Sequence, residues 1–157
     1  MNTSIQDARV IPLTVRMDDR GYLIEMLRCV GGPEPHAIAH QFGQVYLVGN
    51  VAKGTIRAFH KHRELWDWFF ISRGAAKFVL KDDRQESPTY GNLMTVVTGE
   101  RNPTLIAVPP GVYHGWMSLD DDTQMISVAS HLYNQNQPDE VRIAPDSFGD
   151  VWTVKGR

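Results

Sequence analysis

The sequence predicts an all-β fold, a double-sheet jelly roll forming one domain over residues 1–157. Three observations carry this expectation. About ten short runs rich in β-branched and aromatic residues follow one another along the chain. Turn residues punctuate nearly every gap between them. No sustained 3.6-residue apolar period appears between Val10 and Ser130. A chain of 157 residues suits one hydrophobic core rather than two.

Taken in order, the first strand is expected at Val10–Val15 and the second at Tyr22–Leu27, separated by the turn Asp18-Asp19-Arg20-Gly21. Gly31-Gly32-Pro33 begins the loop that leads to Gln44–Val51, and Lys53-Gly54 turns the chain into Thr55–His62. Trp66–Ser72 and Ala76–Leu80 flank Arg73-Gly74, and Ser87-Pro88-Thr89-Tyr90-Gly91 precedes Leu93–Val97. Thr104–Val108 and Tyr113–Met117 are joined by Pro109-Pro110-Gly111, and Asp120-Asp121-Asp122 precedes Gln124–Ser130. The best helical candidate is a short piece after Asn136, through Pro138-Asp139-Glu140. Many short strands and almost no helix make a jelly roll the economical architecture, with a cavity between its sheets where inward side chains can form a site.

Composition narrows the function. Hydrophobic residues make up 42% and charged residues 22%, values of an ordinary globular protein. A formal net charge of −2 and the lack of a long basic run argue against nucleic-acid and anionic-membrane partners. The lone Cys29 permits no intrachain disulfide, fits a reducing compartment and reads as a small apolar residue rather than a reactive thiol. The N-terminus MNTSIQDARVIPLTV has no basic segment followed by an apolar run, and no stretch is long enough to span a bilayer, so a cytoplasmic location is expected.

The residues that carry chemistry cluster in two places. Within Thr55–His62, His60 and His62 stand two apart on a strand and project to one face, with Arg57, Phe59 and Lys61 on the other face or near the strand end. Two imidazoles on one cavity wall can move a proton or ligate a metal. Downstream, the Pro109-Pro110-Gly111 turn aims the next strand, and with it His114, back into the barrel. Gly54, His60, His62, Asp67 and Gly74, followed by Pro109, Gly111 and His114, resemble the two-part signature of the cupin superfamily, with Asp67 in place of its usual glutamate. In many cupins these positions bind a transition metal, and three imidazoles with a carboxylate suit Zn, Fe, Mn or Ni. The other reading of His60, His62, Asp67 and His114 is a hydrogen-bonded cavity cluster without an ion.

A narrower resemblance runs along nearly the whole chain. Asp18-x-Arg20-Gly21-x-x-x-Glu25, Lys53-Gly54-Thr-Ile-Arg57-Ala-Phe-His60, Asp83-Arg84-Gln-Glu-Ser87-Pro88-Thr89-Tyr90-Gly91 and Pro110-Gly111-Val-Tyr-His114-Gly115 are similar, in order, to motifs of the dTDP-4-dehydrorhamnose 3,5-epimerases. The resemblance implies isomerisation of a nucleotide-linked 4-keto-6-deoxy sugar by proton removal next to the ketone, without a cofactor, in a homodimer that exchanges N-terminal segments. It implies His60 as the base, a task that suits an imidazole near its ordinary pKa. His62 and His114 would orient substrate or share the proton, and Tyr133 would act as donor or acid. Arg20 and Glu25 would hold the nucleotide diphosphate and Arg57 would line the site, where an arginine fork suits phosphate oxygens. Gln44 and Asp67 complete the expected substrate-binding set.

Departures from that family pattern are equally legible. Counting back from Gly74, Asp67 occupies the position of a lysine that steadies the enolate. With Tyr133 as the second of two spaced tyrosines, the catalytic one falls at Ser127, a poor acid at neutral pH. The C-terminal aspartate that partners the family's histidine has no counterpart before Arg157, leaving Asp67 or Asp83 as partners for His60. Three further readings therefore stand beside the epimerase: a nucleotide-sugar 3,4-ketoisomerase, a cupin enzyme using a single divalent transition metal, and a catalytically silent sugar-nucleotide-binding protein.

Smaller features take plainer readings. Trp66, Trp68, Phe69 and Phe70 read as core and interface packing rather than ring-stacking groups. Asp83 with Arg84 reads as a structural ion pair, and Asp120-Asp121-Asp122 as a solvated turn. His36, His40 and His131 have no partners at ligand spacing and receive no role.

Overall fold

The computed structural model describes residues 4–28 and 42–154, so Cys29, His36 and His40 lie outside the described residues. Two five-stranded antiparallel sheets face one another. The first has the order β1 (Arg9–Pro12), β9 (Thr104–Val108), β6 (Asp67–Arg73), β11 (Thr123–Ala129), β4 (Gln44–Asn50). The second runs β12 (Val141–Arg142), β5 (Ile56–Lys61), β10 (Val112–Ser118), β7 (Ala75–Asp82), β8 (Leu93–Gly99). A separate hairpin pairs β2 (Val15–Asp18) with β3 (Gly21–Ile24).

Strand alternation decides what faces inward. Phe69 and Ile71 of β6, Ile106 and Val108 of β9, and Phe78 and Leu80 of β7 meet between the sheets. Their alternates on the first sheet, Trp68, Phe70, Leu105 and Ala107, form a second cluster on its outer face with Trp66, so this aromatic strand packs as expected. The outer face of the second sheet is covered by the C-terminal segment, where Phe59 packs against Phe148 and Trp152 at 4.7 and 5.2 Å between ring centroids.

Four sequence expectations are corrected. The run Val10–Val15 is not one strand: β1 ends at Pro12, the Leu13 N–H still donates to the Pro103 carbonyl, and Pro103, with no N–H to return, closes the ladder before the chain resumes as β2. The segment around Pro138-Asp139-Glu140 is no helix. It is a turn and bend whose Asp139 carboxylate accepts the backbone N–H groups of Arg63, Glu64 and Leu65 at 2.9–3.1 Å. The partner of Arg84 is Asp82 rather than Asp83. Asp82 is fully buried and accepts Arg84 Nε and Nη2 at 2.9 Å, with Ser87 and Thr89 hydroxyls completing its shell, while Asp83 pairs with Lys61.

The fourth correction positions the site. In the β5–β10 pairing His60 lies opposite His114 but Arg57 lies opposite Trp116, so β5 carries one extra residue. This bulge shifts the alternation by one and turns Arg57 onto the cavity wall with His60, instead of the opposite face. Gly115 sits under the bulge. A Cβ there would stand 2.4 Å from Ala58 Cβ and 2.9 Å from the Arg57 carbonyl oxygen. Gly115→Ala is therefore expected to push β5 off β10 and to cost about 1–3 kcal/mol in a denaturant titration. A stability equal to the unsubstituted protein would contradict the close approach.

Candidate active site

A cavity of about 490 Å³ opens between β4 and β11 of the first sheet and β5 and β10 of the second. Three histidines crowd its floor. His60 comes from β5 just past the bulge, His62 from the residues that follow β5, and His114 from the middle of β10, directed inward by the Pro109-Pro110-Gly111 turn with Gly111 at φ +78°. Ring centroids of His60 lie 4.2 Å from His114 and 5.2 Å from His62.

Asp67, at the first residue of β6 and 2% exposed, reaches the same floor from the opposite sheet. One of its oxygens, Oδ2, lies 3.2 Å from His62 Nε2 and 3.4 Å from His114 Nε2. These are close contacts without hydrogen-bond alignment, since Asp67 Oδ2 and His114 Nε2 have no hydrogen-bond partner among the described residues. The far nitrogens are anchored on backbone: His114 Nδ1 lies 3.1 Å from the Val112 carbonyl, and His62 Nδ1 contacts the Asp139 carbonyl. Donation from Nδ1 to those carbonyls leaves both Nε2 atoms facing the carboxylate, an arrangement that calls for a proton or a cation between them.

Charge follows from this packing. Burial lowers the pKa of His60, and the neighbouring His114 and His62 lower it further, to about 2, so His60 is a neutral imidazole at every physiological pH. Burial pulls on His62 in the same direction, but the Asp67 carboxylate and the Asp139 carbonyl outweigh it and raise its pKa above the ordinary value. Burial alone would raise Asp67, yet His114 and His62 hold it ionised, at about 2. The floor thus pairs a neutral histidine with one stabilised as a cation.

The expected site residues divide into two groups. His60, His62, His114, Arg57, Gln44 and Tyr133 all line the cavity, with Asp67 beneath it. Arg57 is held by Asn50 Oδ1 at 2.7 Å, and Gln44 Oε1 accepts the Tyr133 backbone N–H at 3.2 Å. Arg20 and Glu25 lie outside this cavity: Arg20 pairs with Asp18 at the tip of the β2–β3 hairpin, its side chain 88% exposed, and Glu25 pairs with Arg28. Asp83, bonded to Lys61, is not a wall residue. His131 Nδ1 lies 2.8 Å from Ser130 Oγ, and Asp121 serves its turn by accepting the Lys53 N–H.

Three wall residues escaped the sequence reading. Tyr46 lines the cavity from β4, sharing a face with Gln44, and that shared alternation was a usable signal. Glu140 reaches it from the segment expected to be helical and Arg142 from β12, where nothing local marks either of them.

His60, His62, Asp67 and His114 also fit a metal: one ligand atom from each lies within 4.8 Å of the others. Three imidazoles and one carboxylate, with Asp67 Oδ2 and His114 Nε2 lacking a hydrogen-bond partner among the described residues, form a donor set suited to a divalent transition ion.

Comparison with known proteins yields one consistent picture. The profile of the family described as dTDP-4-dehydrorhamnose 3,5-epimerase matches residues 2–155. The spore coat polysaccharide biosynthesis protein SpsL of Bacillus subtilis (strain 168) is 34% identical, over 98% of this chain and 99% of its own. The probable low-salt glycan biosynthesis epimerase Agl13 of Haloferax volcanii is 33% identical, over 91% of this chain and 90% of its own. Among solved structures, ChmJ, a 3′-monoepimerase from Streptomyces bikiniensis in complex with dTDP-quinovose, superposes with a TM-score of 0.80. It is 25% identical, covering 92% of this chain and 73% of the other.

Proposed function

This chain belongs to the dTDP-4-dehydrorhamnose 3,5-epimerase family, and on that premise we propose that it inverts a carbon next to the ketone of a nucleotide-linked 4-keto-6-deoxy sugar. The observation that carries the reading is the cavity floor, where a neutral His60 stands 5.2 Å from His62, whose protonated form the Asp67 carboxylate favours. His60 removes the proton α to the C4 ketone. As the C–H bond breaks, its electron pair moves to the C4 oxygen, and the enolate needs positive charge within reach. The His62 imidazolium, fixed by Asp67, supplies that charge where the family pattern has a lysine. His114 holds the carboxylate from its other side, and Arg57 and Gln44 bind substrate on the cavity wall. Tyr133, 57% exposed at the mouth, contacts the bound sugar nucleotide. Proton transfer among side chains is the whole chemistry of this reading, so no cofactor is required.

Arg20 and Glu25 act in a homodimer. The hairpin that carries Arg20 also exposes Met17, Tyr22 and Leu23, and edge strand β4 exposes Val45 and Leu47, an apolar surface that a second copy would cover. In that assembly the hairpin brings Arg20 and Glu25 to the diphosphate bound in the other copy. No helix among the described residues is long and apolar enough to cross a membrane. The cytoplasm is the compartment that fits a nucleotide-sugar substrate.

The two unpartnered atoms, Asp67 Oδ2 and His114 Nε2, favour a second reading in which His60, His62, Asp67 and His114 hold a divalent metal. Such an ion, when bound, would polarise the ketone as a Lewis acid. One experiment separates the readings: deuterium incorporation into dTDP-4-keto-6-deoxyglucose in D₂O, with and without chelator. Exchange at C3 or C5 that ignores chelator supports the metal-free isomerase, and exchange abolished by chelator supports the metal. No exchange on any nucleotide-linked keto sugar overturns the isomerase reading.

A further inference from the structure

We propose that Tyr46 is the acid that delivers a proton to the sugar on the face opposite His60, in place of the residue missing at Ser127. The proposal rests on the epimerase reading and adds its second half, because inversion needs a donor on the far side of the carbon that His60 deprotonates.

The geometry begins with the pairing of β4 and β11, in which Tyr46 lies directly opposite Ser127. Directly paired residues of an antiparallel sheet share a face and have neighbouring Cβ atoms. Ser127 is fully buried on the cavity side, its Oγ without a hydrogen-bond partner among the described residues, and its short side chain stays at the wall. The Tyr46 phenol extends from the adjacent strand into the same part of the cavity. His60 stands on β5 in the second sheet and Tyr46 on β4 in the first. A sugar ring between the sheets therefore presents one face to each.

The chemistry suits the position. Burial raises the phenol pKa above its ordinary value; the Ser127 hydroxyl opposes it in part, and the charges of Asp67 and Glu140 add smaller contributions in the same direction as burial. Tyr46 is thus a protonated donor at neutral pH. The step balances without a co-reactant. The enolate pair returns to carbon and forms a C–H bond with the phenolic proton, leaving a phenolate. Tyr46 is 43% exposed, so water reaches the rim to reprotonate it, while the His60 imidazolium releases its own proton to water. Tyr133 is a weaker candidate, because it stands on the turn after β11 and is more open to solvent.

The test follows deuterium and configuration together, using Tyr46→Phe and dTDP-4-keto-6-deoxyglucose in D₂O. His60 can still remove a proton and return deuterium to the same face, so exchange should persist while epimer formation falls by ~10²–10⁴-fold. Titration with dTDP reports whether the cavity is intact. Epimer formation within about threefold of the unsubstituted protein would overturn the role of Tyr46 and leave the epimerase standing. Loss of both exchange and inversion with dTDP binding retained would overturn it too, because the tyrosine would then serve the first proton transfer or substrate placement. Absence of exchange in the unsubstituted protein would instead sink the epimerase reading itself.

Discussion

His60→Asn is expected to eliminate deuterium exchange into a nucleotide-linked 4-keto-6-deoxy sugar and to lower turnover by at least ~10²–10⁴-fold, the range of a positioned general base. Asparagine matches the imidazole in size and polarity but accepts no proton, so the cavity should persist without its chemistry. The low pKa of His60, about 2, makes it a weak base in the resting site, because burial and two neighbouring histidines oppose its charge. The reaction removes that opposition as it proceeds, since negative charge grows on the substrate beside the ring. The same burial costs stability at low pH. An unfolded chain protonates this histidine near 6.5, whereas the folded one stays neutral down to about 2. Below pH 6.5 the folded state therefore loses up to ~1.4 kcal/mol per pH unit from this residue. His60→Asn should flatten that slope, read as a smaller drop in melting temperature between pH 7 and 5. Retained exchange in the variant would remove His60 from the role of base.

The parts of this site legible in the sequence were those encoded over short distances. The His60-x-His62 spacing and the Pro109-Pro110-Gly111 turn before His114 depend on strand alternation and turn chemistry, and both bring their histidines to the cavity floor. Alternation failed for Arg57 because the extra residue of β5 is set by how closely β10 approaches at Gly115, a contact between residues 58 and 115. The same limit explains Asp139, whose local sequence suits a helix start but whose carboxylate is consumed by backbone more than 70 residues earlier. Arg20 and Glu25 were legible as a motif, but their place outside this cavity was not, because it is set by how the β2–β3 hairpin stands apart from the two sheets. Tyr46 was hidden by its surroundings, since an aromatic in an apolar run reads first as packing. Only its registry with Ser127 gives it a role.

Asp67→Asn should produce the second large loss, and it separates two uses of that carboxylate. Asp67 favours the protonated form of His62 against the pull of burial, so in the variant the His62 pKa should fall and burial should leave it neutral at pH 7. Removal of a preorganised charge facing the developing enolate is worth ~10²–10³ in turnover. The unsubstituted protein should lose activity as pH rises through the elevated His62 pKa, and the variant should lose it at lower pH. An Asp67→Asn protein that is slow at pH 7 but recovers toward acid would match a protonic role. Fold stability should fall only modestly, by ~0.5–1.5 kcal/mol for the lost contacts, because His62 sheds its proton rather than remain a buried unpaired charge, and a denaturant titration would measure it. If a metal occupied the four side chains, asparagine would instead weaken the ion, and added Zn²⁺ or Mn²⁺ rather than acid would restore activity. Undiminished turnover across the pH range would mean that neither use of Asp67 reaches the chemistry, and would leave the enolate to Arg57 and Arg142, the remaining cations on the cavity wall.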